Sequence, residues 1–104
     1  MGAAELFSAL FVHEVDPDWR VFATCREIDA DLFFPEDRQP AGQVKAVCRS
    51  CPVQPECLAT AIATGEAHGI WGGLTYRERL RLVRVLRDGG FQIPRWRRRR
   101  RAAA

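Results

Sequence analysis

The stretch "CRSCPVQPEC", residues 48–57, most constrains what this chain can fold into. Cys48, Cys51 and Cys57 fall within ten residues, and Cys25 is the only other cysteine in the chain. Pro52 and Pro55 lie between the second and third thiols and break any single helix that would carry all three. A chain of 104 residues has room for one domain with a small core. Three thiols so close together exceed what packing such a core requires.

Compartment decides what clustered thiols are for. No apolar run approaches the roughly 20 residues that span a bilayer, so no membrane role is expected. The first residues, "MGAAELFSALFVHEVDPDW", start apolar but lack a basic leader and carry Glu5 and Glu14. A secretory signal is a poor reading of them, and a reducing cytoplasm is the expected location. There, four cysteines serve as metal ligands or redox groups rather than as a disulfide framework.

A coarse pass along the chain predicts short helices joined by turns, with almost no strand signal. Leu6, Phe7, Leu10 and Phe11 recur at helical spacing and form an amphipathic N-terminal extension over residues 1–18, closed by "DPDW". The stretch from Cys25 to Gln43 is turn-rich, punctuated by Pro35, Pro40 and Gly42. "QVKAVCRSC" reads as a helix with Val44, Val47, Cys48 and Cys51 on one side. "PECLATAIAT" is a second, with Pro55 in its first turn and Gly65 at its C-terminal cap. After the glycine-dense turn "HGIWGG", a last helix opens on a Thr75–Glu78 capping box and ends at Gly89. Tyr76, Leu80, Leu82, Val83 and Leu86 are expected on its apolar face, and Arg77, Arg81 and Arg84 on a basic ridge. The fold expected is therefore all-α, a single small domain of about four short helices.

The cysteine spacing narrows the chemistry to a few classes. Cys48 and Cys51 lie one helical turn apart, so their sulfurs can face a common point. Cys57 falls in the first turn of the next helix, where the helix dipole is expected to favour a thiolate. Cys25 comes from a distant loop to complete a set of four. Four thiolates suit either zinc or an iron–sulfur cluster. Structural zinc more often uses two paired knuckles, and the spacing also departs from the ferredoxin patterns. A Cys48–Cys51 dithiol acting as a disulfide reductase is the catalytic alternative, although the βαβ context of such motifs is missing. His13 and His68 fall at no ligand spacing. There is no nucleophile–base pair and no phosphate-binding glycine loop with its lysine, so no small-molecule substrate is expected.

Charge is distributed unevenly. From Arg77 onward eleven arginines face only Glu78 and Asp88, a balance of +9, while the preceding residues carry a balance of −6. An acidic body with a basic end points to two different partners, a polyanion being one of them. Residues 89–104 form the arginine-rich tail, in which Arg95, Arg97, Arg98, Arg99, Arg100 and Arg101 flank Trp96. Such a tract is expected to be disordered alone and attracted to phosphates, with Arg77, Arg81 and Arg84 extending the contact. The plainer reading is a nonspecific solubilising tail.

Cys25, "DADLFFP" at 29–35, "VCRSCPVQPEC" at 47–57 and "GIWGG" at 69–73 together resemble the WhiB-like family of actinobacterial transcription regulators. The resemblance covers residues 19–88 and is specific as a joint pattern. It implies one oxygen- and nitric-oxide-sensitive [4Fe-4S] cluster per chain, held by Cys25, Cys48, Cys51 and Cys57. It further implies binding to the C-terminal domain of the primary sigma factor and contact of promoter DNA by the basic end. In that light Trp71, with Gly69, Gly72 and Gly73 around it, and Phe33, Phe34 and Pro35 are candidates for the sigma-factor surface. Read from the residues alone, Trp71 is a core side chain tying the ligand helices to the last helix. Trp19 reads as core or as a shield over the cluster. The tail lacks the Arg-Gly-Arg core of a minor-groove hook, so backbone and groove-width contacts to DNA are expected.

Overall fold

Local signals set where each helix of this chain starts and stops. The computed structural model describes residues 2–12, 18–27 and 42–96. A helix over Ala3–Phe7 (α1) continues as a π-helical turn, Ser8–Val12. Two 3₁₀ turns follow, Trp19–Phe22 and Thr24–Glu27, the second carrying Cys25. Then come α2 (Gly42–Arg49), α3 (Gln54–Thr64) and α4 (Tyr76–Asp88). Over the described residues the protein is thus a small all-helical domain of four α-helices. Among the described residues the one β feature is an isolated bridge between Trp71 and Leu74. None of these helices is long and apolar enough to cross a membrane.

The helix ends follow the sequence signals closely, with one instructive exception. Gly65 adopts φ +70° beyond α3, and the Glu66 amide returns to the Ala61 carbonyl at 2.9 Å, closing the helix as its glycine predicts. At α4 the Glu78 amide donates to the Thr75 hydroxyl at 3.3 Å, and the Thr75 amide donates to the Glu78 carboxylate at 3.0 Å. The predicted capping box is therefore complete. α2, however, stops at Arg49, two residues before Cys51. Cys51 precedes Pro52, whose ring disfavours the helical conformation of its neighbour, and the Cys51 amide bonds to the Cys48 carbonyl at 3.1 Å instead. The two thiols are thus not neighbours on one helix face but lie on either side of a helix end.

α4 also buries a different stripe from the one its apolar residues predict. Tyr76 and Leu80 are 40% and 48% exposed, whereas Leu86 and Arg79 are buried. Arg79, Leu82, Val83 and Leu86 recur at helical spacing, and that face turns inward because Arg79 finds carbonyl partners there. Arg77, Arg81 and Arg84 stand exposed, as the basic ridge requires.

Lys45 of α2 meets Glu78 of α4 at 2.7 Å. Its hydrogen bond, followed by that of the Thr75 amide, holds the Glu78 carboxyl below its ordinary value of 4.5. A depressed carboxyl stabilises the fold above its unfolded pKa, and that stability is lost as pH falls through the lower folded value. Glu78→Gln is therefore less stable than wild type at neutral pH, with the gap closing as pH is taken below 4.5. Thr75→Ala should cost about 1 kcal/mol, or roughly 4–8 °C in melting temperature. Thermal melts of both variants across pH provide the check.

Two apolar groups form the interior around the cysteines. Val44, Cys48 and Ile70 make one, with Cys25 and Val47 against it. Trp19, Ala23 and Val53 make the other, joined by Cys25, Cys51, Cys57 and Trp71. Cys25 touches both, so the four thiols mark the seam between them.

Candidate functional site

The seam opens into a cavity with about 340 Å³ of empty space, part of it continuous with solvent. All four cysteines line it, together with Trp19, Ala23, Val47, Gln54, Ile70 and Gly72. Each cysteine arrives from a different local structure. Cys25 sits on the Thr24–Glu27 turn, Cys48 in the last turn of α2, Cys51 beyond that helix, and Cys57 near the start of α3. None is paired in a disulfide. Among the described residues no three His, Cys, Asp or Glu side chains stand as a ready-made group for a metal ion.

Burial dominates the electrostatics. It pushes the Cys57 thiol up to about 12, with Cys48, Cys25 and Cys51 adding smaller repulsions and the Gly72 backbone pulling the other way. It raises Cys48 as well, against the Gly73 backbone, and raises Cys25, where Cys51 adds to it. The thiolate expected at Cys57 from the helix dipole is therefore not what the environment favours. Desolvation outweighs the dipole, and an anion there calls for a cation beside it. Burial at Cys48 also works against the activation that a reductase nucleophile needs at that position.

The glycine turn is the wall that closes this cavity from the α4 side. The Trp71 and Leu74 amides exchange hydrogen bonds with each other's carbonyls at 3.0 Å, making a tight loop. Gly72 has φ +58°, and a Cβ there would lie 2.6 Å from Leu58 Cβ, so only glycine lets the turn approach α3 this closely. Gln54 Nε2 donates to the Gly72 carbonyl at 2.9 Å and fastens it to the start of α3. From the other side Arg79 donates to three carbonyls: Gly69 at 3.0 Å, Leu74 at 2.7 Å and Glu66 at 2.9 Å. The residue as a whole is 2% exposed. One fork of fixed N–H groups thus gathers both ends of the turn.

Trp71 leaves this turn half-buried, packed on the Trp19 group, with its Nε1 donating to the His68 carbonyl at 3.1 Å. Trp19 lines the cavity, and the Arg20 guanidinium lies 4.5 Å from the Trp19 ring and 6.0 Å from that of Trp71. Phe22 and Val21, beside Arg20, are exposed apolar residues that the sequence reading did not single out. Gly69 and Gly73 share the turn with Trp71, and Arg95 is exposed near the chain's basic end. Phe33, Phe34 and Pro35, like Arg97 through Arg101, lie outside the described residues. Arg79 and Gln54 were also missed by the sequence reading. For Arg79 a signal existed: it is the arginine that shares the α4 stripe with Leu82, Val83 and Leu86.

Fold and site together define a small helical domain with four free cysteines gathered around one partly open cavity. The family model described as "Transcription factor WhiB" matches residues 19–82. The chain belongs to the WhiB family. It is 44% identical to the transcriptional regulator WhiB of Streptomyces coelicolor over 83 residues, which cover 78% of this chain and 95% of that protein. It is also 44% identical to WhiB2 of Mycobacterium tuberculosis over 71 residues, 68% of this chain and 80% of the relative. With WhiB1 of the same species the identity is 46% over 72 residues, 64% of this chain and 86% of the relative.

Proposed function

We propose that this protein is a transcription regulator whose four cysteines hold a [4Fe-4S] cluster and whose cluster-bound form docks on the primary sigma factor at promoter DNA. The observation that carries the reading is that all four thiols of the chain line one cavity. Thiols whose burial disfavours the free anion fit a polynuclear iron centre that supplies positive charge among them. When bound, a cluster supplies one-electron chemistry and the sensitivity to oxygen and nitric oxide that the family resemblance implies.

The chain's own residues then explain how ligation reaches a partner surface. The Cys25 turn, the end of α2 and the start of α3 share no regular hydrogen-bonded element, and common ligands tie them together. The glycine turn is fastened to that unit by Gln54 and to α4 by Arg79. Trp71, carried on the turn, is thereby presented in one orientation for sigma-factor docking, with Phe33, Phe34 and Pro35 as further contacts. Arg77, Arg81 and Arg84 face solvent on α4 and, with Arg95 and Arg97 through Arg101, supply the cations for DNA phosphates.

The test is purification without oxygen followed by absorption spectroscopy and iron, sulfide and zinc analysis. Iron and sulfide near about four each per chain are expected; one zinc and no sulfide would replace the sensing role with a structural one. Cys57→Ala is expected to abolish both the cluster and sigma-factor binding, and undiminished sigma binding by this variant would contradict the coupling. Removing residues 95–104 should weaken DNA binding while sparing the sigma interaction.

A further inference from the structure

An aromatic group ties the amino-terminal residues to the root of the arginine tract. Phe7 stacks on Phe91 with ring centroids 4.8 Å apart and planes at 20°. Phe11 lies 5.4 Å from Phe7 and meets Trp96 edge-on at 6.0 Å. Phe7 and Phe11 are four residues apart, so the α1 helix and its π-helical turn set both rings on one face. Leu10 is buried beside them, where the π turn packs on α3.

The main chain completes the attachment. After α4, Gly90 takes φ +88° and the Phe91 amide returns to the Leu86 carbonyl at 3.0 Å. Five residues on, the Trp96 amide donates to the Ala63 carbonyl at 2.9 Å, in the last turn of α3. Residues 91–96 are therefore held at both ends, and the next residue is Arg97, the first of five consecutive arginines. α1 reaches the end of α4 through small residues only: a Cβ on Gly89 would stand 2.6 Å from the Cβ of Ala3.

We infer that Phe7, Phe11, Phe91 and Trp96 form a clamp that fixes where the arginine tract leaves the body, so that tract and α4 ridge engage one stretch of DNA backbone together. The inference rests on the reading of the tract as a DNA contact. Without the clamp the tether to α4 lengthens from one or two free residues to about eight, and the effective concentration of the tract falls roughly as the −3/2 power of that length. Affinity for duplex DNA then drops roughly eight- to twentyfold. The number of phosphates neutralised stays the same, so the slope of log affinity against log salt does not move. That combination separates a positioning element from a charge contact.

The experiment uses the full chain and a fluorescein-labelled mixed-sequence duplex, with anisotropy followed between about 50 and 200 mM salt. Phe7→Ala/Phe11→Ala opens the aromatic group directly. Gly89→Ala acts more gently: its backbone conformation is open to alanine, and the added methyl displaces only α1 and nearby side-chain and carbonyl atoms. Ala3→Gly in the same chain removes the opposing methyl and restores affinity. Variants that keep the wild-type circular dichroism, bind less tightly by the stated factor and retain the wild-type slope are the expected result. Wild-type affinity in both, or a slope that falls with the affinity, overturns the clamp. Loss of Arg97 through Arg101 serves as the control and should flatten the slope by about 4 to 5. An unchanged slope in that control, or no binding by the wild type, overturns the DNA reading itself and the clamp with it.

Discussion

Arg79→Ala is expected to lower stability by about 3 kcal/mol, a melting-temperature loss of roughly 12–24 °C for a domain this size. The side chain is buried and its guanidinium serves three carbonyls, at Glu66, Gly69 and Leu74, that have turned away from water to meet it. Truncation leaves those acceptors in an apolar setting and opens a space beneath the glycine turn. Arg79→Lys recovers only part of the loss, because a single ammonium cannot span carbonyls from both ends of the turn as the planar fork does. Arg81→Ala, two residues along on the exposed ridge, is the comparison and should stay within about 0.5 kcal/mol of wild type. Denaturant melts of the three variants decide the matter; equal effects at Arg79 and Arg81 would mean the turn is held by something else. If Arg79 holds the turn, Trp71 loses its fixed orientation in Arg79→Ala, and sigma-factor affinity should fall even where cluster content is retained.

Gly72→Ala is the second large effect, about 3 kcal/mol from two sources that a paired variant separates. A positive φ costs an L-residue about 1–2 kcal/mol, and forcing a methyl into a filled interior adds about 1–3 kcal/mol. At Gly72 both apply, since φ is +58° and the new Cβ meets Leu58 Cβ at 2.6 Å, with the Gln54 carbonyl and Leu58 Cα at 3.1 Å. Gly65 has φ +70° and nothing within 4 Å, so Gly65→Ala carries the backbone cost alone. The difference between the two melts measures how tightly the turn is wedged against α3. Leu58→Ala gives no rescue, because the clash is with the Cβ that alanine retains. Since Gly72 lines the cavity, Gly72→Ala should also incorporate less iron than Gly65→Ala at equal protein concentration.

Where the chain's signals are local, the structure follows them. The Thr75–Glu78 box and the Gly65 cap depend on residues five or fewer apart, and each forms as read. The helices carrying Cys48 and Cys57 stand where proline and glycine punctuation put them. The end of α2 was misplaced by two residues, although the Pro52 effect on Cys51 was in principle legible. The inward face of α4 was not legible from hydrophobicity, because periodicity scores side chains on one helix and cannot count carbonyls offered by another segment. Tyr76 and Leu80 were placed on the apolar face of α4 for that reason and stand exposed. The same limit hid the amino-terminal clamp: Phe7, Phe91 and Trp96 are far apart in sequence, and nothing in their spacing says that they touch.

The sequence by itself determined the helical class, the helix caps, the close grouping of Cys48, Cys51 and Cys57 and the separation of an acidic body from a basic end. These follow from residue type and short spacing, which act before any long-range contact forms. Only the tertiary structure decided that Cys25 joins the other three around one cavity, that burial rather than the helix dipole governs the Cys57 thiol, and that Arg79 rather than Tyr76 is the inward residue of α4. Each of those depends on desolvation and on partners supplied by distant segments, and neither is written in the order of the residues.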